Sequence, residues 1–80
     1  MTREEYLESV GYKSIYDFVY VKATDDGFWL GIDLEPGVEH PIFCGKPSDS
    51  SYTSEEEIQT LLKYFKEVER DFEKIKKYEG

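Results

Sequence analysis

The sequence predicts one α+β domain over residues 1–80: a short N-terminal helix, a three-stranded antiparallel meander and a long C-terminal helix packed on the sheet (αβββα). Three observations predict it. Capping-box pairs, Thr2 with Glu5 and Ser54 with Glu57, mark two helix starts. Between them lies an aromatic and β-branched stretch cut by Asp26-Gly27 and Pro36-Gly37. After Ser54, apolar residues recur at helical spacing.

The first helix is expected from Arg3 to Val10, with Tyr6, Leu7 and Val10 on one face and Gly11 where it ends. A strand follows from Tyr16 to Thr24, then a hairpin turn at Asp26-Gly27 and a second strand from Phe28 to Glu35. With two turn residues, Thr24 faces Trp29, Val21 faces Ile32 and Val19 faces Leu34. One sheet face then carries Val19, Val21, Ala23, Leu30, Ile32 and Leu34, an aliphatic surface for a helix. The other carries Phe18, Tyr20, Lys22, Trp29, Asp33 and Glu35, with a gap at Gly31.

Val38 to Cys44 reads as the third strand, and Pro41, lacking a donor, marks an edge. Its register stays open. A three-residue loop places Ile42 beside Ile32 on the core face and Phe43 with Trp29, whereas a two-residue loop reverses this. A Ser, Gly and Pro loop from Gly45 to Thr53 leads into the long helix. Ile58, Leu61, Phe65, Val68, Phe72 and Ile75 alternate by 3 and 4 along it. Glu55 to Glu57 at its start and Lys74, Lys76 and Lys77 near its end suit the helix dipole. A helix of about 25 residues spans about 37 Å against about 23 Å for a seven-residue strand, so its last turns should overhang. The N-terminal helix fills that space, or a second subunit does through Phe72, Ile75 and Tyr78.

At 80 residues the chain has room for one core and little area to spare for a deep catalytic cleft. Seven Tyr, five Phe and one Trp supply much of its apolar surface. Eighteen acids against ten bases give a net charge of -8, which repels phosphate backbones and anionic lipids and favours basic partners. The acidity belongs to residues 1–57, where thirteen acids face four bases, while residues 58–80 hold five acids and six bases. The single cysteine, Cys44, cannot close an internal disulfide, and no apolar run suits a signal peptide or membrane span, so a reducing, cytoplasmic setting is expected.

Enzymatic constellations are weak. His40 and Cys44 stand about 13 Å apart on a strand, beyond hydrogen-bond reach. One His and one Cys cannot supply a zinc tetrad, and Asp25-Asp26-Gly27 lacks the alternating oxygens of a calcium loop. The carboxylate pairs Asp33 with Glu35 and Glu69 with Glu73 read as solvated, and no phosphate-cradling glycine loop is present. No catalytic residue, metal or cofactor is therefore expected. The element order matches the double-stranded-RNA-binding fold, but Glu55-Glu56-Glu57 stands where that fold needs bases.

The aromatic face is the most informative feature. Phe18, Tyr20 and Trp29 leave more apolar surface than a monomer usually exposes, so either Tyr6, Leu7 and Val10 of the first helix cover it or a partner protein does. In the partner reading Tyr20 and Trp29 are anchors, and Asp25, Asp26, Asp33, Glu35 and Glu55, Glu56 and Glu57 are the charged rim. These carboxylates would stand in for phosphates on a basic, nucleic-acid-binding site of the partner. In size, acidity and element order the chain resembles some small anti-CRISPR proteins that block a nuclease's DNA-binding site, and shares the general profile of bacteriocin and toxin immunity proteins. That resemblance is architectural, rests on no shared motif and carries over no functional residue. It implies an inhibitor or immunity-type protein, monomer or homodimer, with no contact to nucleic acid or membrane. A homodimeric module holding a small ligand on its aromatic face, and a scaffold subunit of a larger assembly, are the alternatives.

Overall fold

A computed structural model describes residues 1–46 and 54–78. The elements are α1 (Arg3–Ser9), β1 (Lys13–Tyr16), β2 (Val19–Ala23), β3 (Trp29–Asp33), β4 (Ile42–Gly45) and α2 (Glu55–Ile75). The strands form one antiparallel sheet in the order β1-β2-β3-β4, so the fold is α+β with four strands rather than three. Both capping boxes form. The Glu5 amide donates to Thr2 Oγ1 at 3.1 Å and the Thr2 amide to Glu5 Oε1 at 2.8 Å, and Ser54 and Glu57 repeat the exchange. The part of the expected Gly45 to Thr53 loop that spans 47–53 lies outside the described residues.

The additional strand, β1, takes up residues before the first expected strand and only its first residue, Tyr16; a turn at Asp17 and Phe18 separates it from β2, with Tyr16 paired to Val19. Phe18 has φ +71°, a left-handed conformation that side chains other than glycine rarely adopt, and it carries no sequence mark of a turn. The expected hairpin at Asp26-Gly27 also differs by one residue. Its loop is Asp25-Asp26-Gly27: the Thr24 amide donates to the Phe28 carbonyl at 2.8 Å, the Gly27 amide to the Thr24 carbonyl at 3.1 Å, and Gly27 has φ +89°. Ala23 therefore pairs with Trp29 and Tyr20 with Ile32.

Because side chains alternate across a strand, that single-residue shift inverts the whole of β2. Tyr20 and Lys22 point under the helices, and Val19, Val21 and Ala23 move to the opposite face. Leu30 and Ile32 of β3 keep the core face, as expected. β4 pairs Ile42 with Ile32 and Phe43 with Gly31, which is the three-residue-loop register, although its ladder begins only at Ile42.

The core gathers Leu7, Tyr12, Tyr20, Leu30, Ile32, Val68 and Ile75. α1 joins α2 on the same side of the sheet and does not cover the face carrying Trp29. Its contact is with the end of α2: Arg3 Nε donates to the Tyr78 carbonyl at 3.1 Å, and the Tyr6 and Tyr78 rings lie 5.5 Å apart. Of the residues expected as a dimer contact, Ile75 is buried, only 1% exposed, while Phe72 and Tyr78 are partly buried against the chain's own core. The overhang falls at the other end. α2 passes the β2–β3 hairpin at Tyr64, whose ring lies 5.5 Å from Phe28, and crosses β4 at Leu61, whose carbonyl lies 3.7 Å from Cys44 Sγ, so that the turn before Leu61 runs past the sheet and the outer flank of the helix is left open. There Ile58, Leu62 and Phe65 are 45%, 53% and 39% exposed. The molecule is correspondingly elongated, 39 × 24 × 20 Å.

Candidate protein-binding site

At the β2–β3 hairpin the sheet and α2 enclose an open hollow of about 470 Å³ lined by Lys22, Thr24, Asp25, Asp26, Tyr64 and Glu67, with Ala23 at its edge. The hairpin presents the two aspartates because its tight loop leaves them at the tip. Asp26 is held in place: its Oδ1 accepts from the Thr24 hydroxyl and, at 2.9 Å, from the Tyr64 hydroxyl. Those two donors hold its carboxyl below the usual aspartate range. The same bond raises the Tyr64 hydroxyl above its ordinary value.

Lys22 forms the inner wall and is neutralised there. Its Nζ lies 3.5 Å from Glu67 Oε2 and 3.9 Å from Asp71 Oδ2, donates to the Val10 carbonyl at 3.3 Å, and stands 4.9 Å from the centre of the Tyr12 ring. Asp71, buried, accepts from the Tyr12 hydroxyl at 2.9 Å. Burial, then the Asp71 charge, push the Tyr12 hydroxyl far above its ordinary value. With the lysine charge matched by Glu67 and Asp71, the exposed Asp25 and Asp26 set the sign of the hollow.

Of the expected contacts, Asp25 and Asp26 lie on this hollow, and Glu55, Glu56 and Glu57 lie on the projecting start of α2 at the same end of the molecule. Glu57 caps Ser54, whose backbone amide holds its carboxyl below the usual range, leaving Glu55 and Glu56 as the exposed pair. Asp33 and Glu35 stand at the far end of β3, where Asp33 Oδ1 accepts from the Glu35 amide at 2.9 Å, so they do not share the site. Tyr20 is not an anchor. The inverted register buries it to 8% exposure beneath α1, and desolvation, with the charges of Glu4 and Glu8, raises its hydroxyl above the ordinary value. Trp29 remains on the open face at 38% exposure.

The expected gap at Gly31 on that face is closed by Phe43. Its ring lies across Gly31, the Trp29 ring lies across Gly45, and the two rings meet edge to face with centroids 5.7 Å apart. Cys44 is half-buried with Sγ 3.7 Å from the Leu61 carbonyl, and burial pushes its thiol up; His40 precedes β4 rather than lying within it. Among the described residues no three His, Cys, Asp or Glu side chains converge as metal ligands, and no helix is long and apolar enough to cross a membrane.

Sequence reading missed Tyr12, Lys22, Tyr64, Glu67 and Asp71. One signal was available: Tyr64, Val68, Asp71 and Ile75 follow 4, 3, 4 spacing, which sets Asp71 on the buried stripe of α2 and calls for a polar partner opposite. Compared with protein-family models, curated proteins and solved structures, the chain shows no match.

Proposed function

We propose that the chain is a non-enzymatic, acidic protein-binding inhibitor or immunity-type protein that docks on a basic, nucleic-acid-binding site of a partner protein. The observation that supports this best is the hollow carrying Asp25 and Asp26 against Tyr64, with Glu55 and Glu56 exposed at the same end. A lysine or arginine side chain entering it meets the fixed carboxylate of Asp26 and the exposed carboxylate of Asp25. Asp26 is already oriented by two hydroxyl donors, so little ordering is required on binding. A net charge of -8 steers such a partner over distance and makes association fast and sensitive to salt.

The test is affinity capture from nuclease-treated lysate of the source cell, at low and at moderate salt, with the wild type and with Asp25→Lys/Glu55→Lys. The expected result is one stoichiometric basic protein, released by salt and lost with the double variant, whose thermal midpoint stays within about 4 °C of wild type because both sites are exposed (about ±0.5 kcal/mol). A partner retained equally by the double variant and at moderate salt overturns the reading.

A further inference from the structure

The sheet face turned away from the helices is apolar where an antiparallel sheet open to water is ordinarily polar. β2 presents Val19, Val21 and Ala23 there, alternating with Tyr20 and Lys22 on the helix side. β1 adds to it through an irregularity. Ser14 pairs with Tyr20 and Tyr16 with Val19, so Ile15 and Tyr16 together face one residue of β2, as in a β-bulge. Plain alternation returns Tyr16 to the helix side with Ser14; the extra residue sets it beside Val19, 73% exposed, with Ile15 at 54%. The turn that follows is strained as well, since Phe18 holds φ +71° and is 50% exposed. The core calls for neither device, because Ile15, Tyr16 and Phe18 take no part in it. Two local departures that place three large apolar side chains in water mark a contact surface.

The segments outside the described residues do not reach it. Tyr16 and Gly45 stand on the two outer strands, three strand spacings and four residues apart, or about 20 Å. Residues 47–53, tethered at Lys46 and Ser54, span at most about 29 Å in all, too little to go out to Tyr16 and return. Residues 79–80 follow Tyr78, which packs on Tyr6 on the helix side.

The charges on and around this half of the face decide what fits it. Lys13 stands on the same face, opposite Val21. Against it are Asp17 in the turn, Asp33 opposite Val19, Glu35 just past β3 and Glu39 in the loop before β4. On the helix side, Arg3 and Lys76 meet around Leu34 while Glu4 and Glu8 act on Tyr20, so the two signs balance there. A second copy would bring the same four acids for one base, on chains that each carry -8, and anionic lipid is repelled likewise. An added strand is disfavoured too, because the irregular β1 interrupts the edge it would pair with. A flat apolar sheet face is covered by a helix, as α1 and α2 cover the other side of this one.

We propose that the β1–β2 hairpin and the adjoining open face are a second docking surface, which takes an amphipathic helix of a partner protein with lysine or arginine along one flank. The apolar stripe of that helix lies on Val19 and Val21 and against Ile15, Tyr16 and Phe18. Its basic flank lies over Asp17, Asp33 and Glu35. This surface stands at the opposite end of the sheet from Asp25 and Asp26 and does not depend on the acidic hollow.

A display library of helical peptides of about 18 residues, panned against the full chain carrying Asp25→Lys/Glu55→Lys, tests it with the hollow disabled. The expected outcome is enrichment of peptides whose apolar stripe is flanked on one side by Lys or Arg. Made synthetically, these bind Phe18→Gly and Asp17→Lys about tenfold or more weakly. The thermal midpoint of Phe18→Gly stays at or above that of its parent, because glycine accepts the left-handed turn. Failure to enrich any sequence overturns the proposal, as do peptides with acidic flanks or binding indifferent to Phe18→Gly. A midpoint lowered by more than about 8 °C in Phe18→Gly overturns it too, by assigning that ring to packing. Two measurements cover the other occupants: a dimer in sedimentation equilibrium that Phe18→Gly dissociates assigns the face to a second copy, and flotation with phosphatidylcholine vesicles that Phe18→Gly abolishes assigns it to lipid.

Discussion

Two glycines account for the shape of the uncovered sheet face. Trp29 stands opposite Gly45 and Phe43 opposite Gly31 across the β3–β4 ladder, so each ring lies down over the residue that has no side chain. The fit is close: a Cβ on Gly45 would fall 2.1 Å from the Trp29 ring, and one on Gly31 2.0 Å from the Phe43 ring. The rings thereby cover backbone and one another without a helix above them. Gly45→Ala is expected to lift the indole into solvent. The single tryptophan's emission should shift to the red, and stability should fall by about 1–2 kcal/mol, lowering the thermal midpoint by about 4–8 °C per kcal/mol. An unshifted emission maximum would show that the ring is not held by this contact.

At the scale of elements, α1 matters more than its seven residues suggest. A helix this short has no independent stability, and it is held by what it buries, chiefly Leu7 between the sheet and the end of α2. Leu7→Ala removes a fully buried side chain and should cost about 3 kcal/mol, whereas Leu62→Ala, half in water, should cost under about 1 kcal/mol. Chemical denaturation of the two variants checks the contrast, and similar losses would place Leu62 in the core. The same short element packs on the C-terminal turns, covering Ile75 and stacking Tyr6 on Tyr78.

Across the whole molecule, one polar cluster ties three distant stretches of chain together. Tyr12 follows α1, Lys22 lies on β2 and Asp71 on α2, and they meet where the inverted register of β2 brings the lysine inward. Tyr12 carries a stability consequence with a definite sign. Its hydroxyl ionises at higher pH in the folded chain than the ordinary value of 10.0, so folded protein retains a proton that unfolded chain releases. That contribution is fully present below about pH 10 and is lost as pH rises beyond it, by up to about 1.4 kcal/mol per pH unit. Urea unfolding between pH 9 and pH 11 should show this decline, and Tyr12→Phe should flatten it. The variant should also lose about 1–3 kcal/mol at neutral pH, because a buried carboxylate forfeits a donor. An unchanged alkaline slope in Tyr12→Phe would assign the titration elsewhere, Tyr20 first.

Much of the architecture was legible in the residues themselves. The helix starts are local events between a cap and the residue three positions later, and the stripe of α2 is a matter of spacing, so both follow from sequence alone. The acidity of one end is equally local, since Asp25, Asp26 and Glu55 to Glu57 occupy a turn and a helix start. Register was not legible. A hairpin with Asp-Gly closes with two loop residues or three at nearly equal local cost, and the choice reverses every side chain of the strand. What settles it is burial of Tyr20 with Leu7 and Ile32, together with Lys22 reaching Glu67 and Asp71, contacts between residues far apart in the chain. The sequence by itself therefore determined the kinds of element, their order and the sign of the molecule's surface. Only the tertiary structure decided which face each side chain joins, which helix end projects, and hence that the hollow and the apolar open face exist, because those depend on packing energies no local stretch contains.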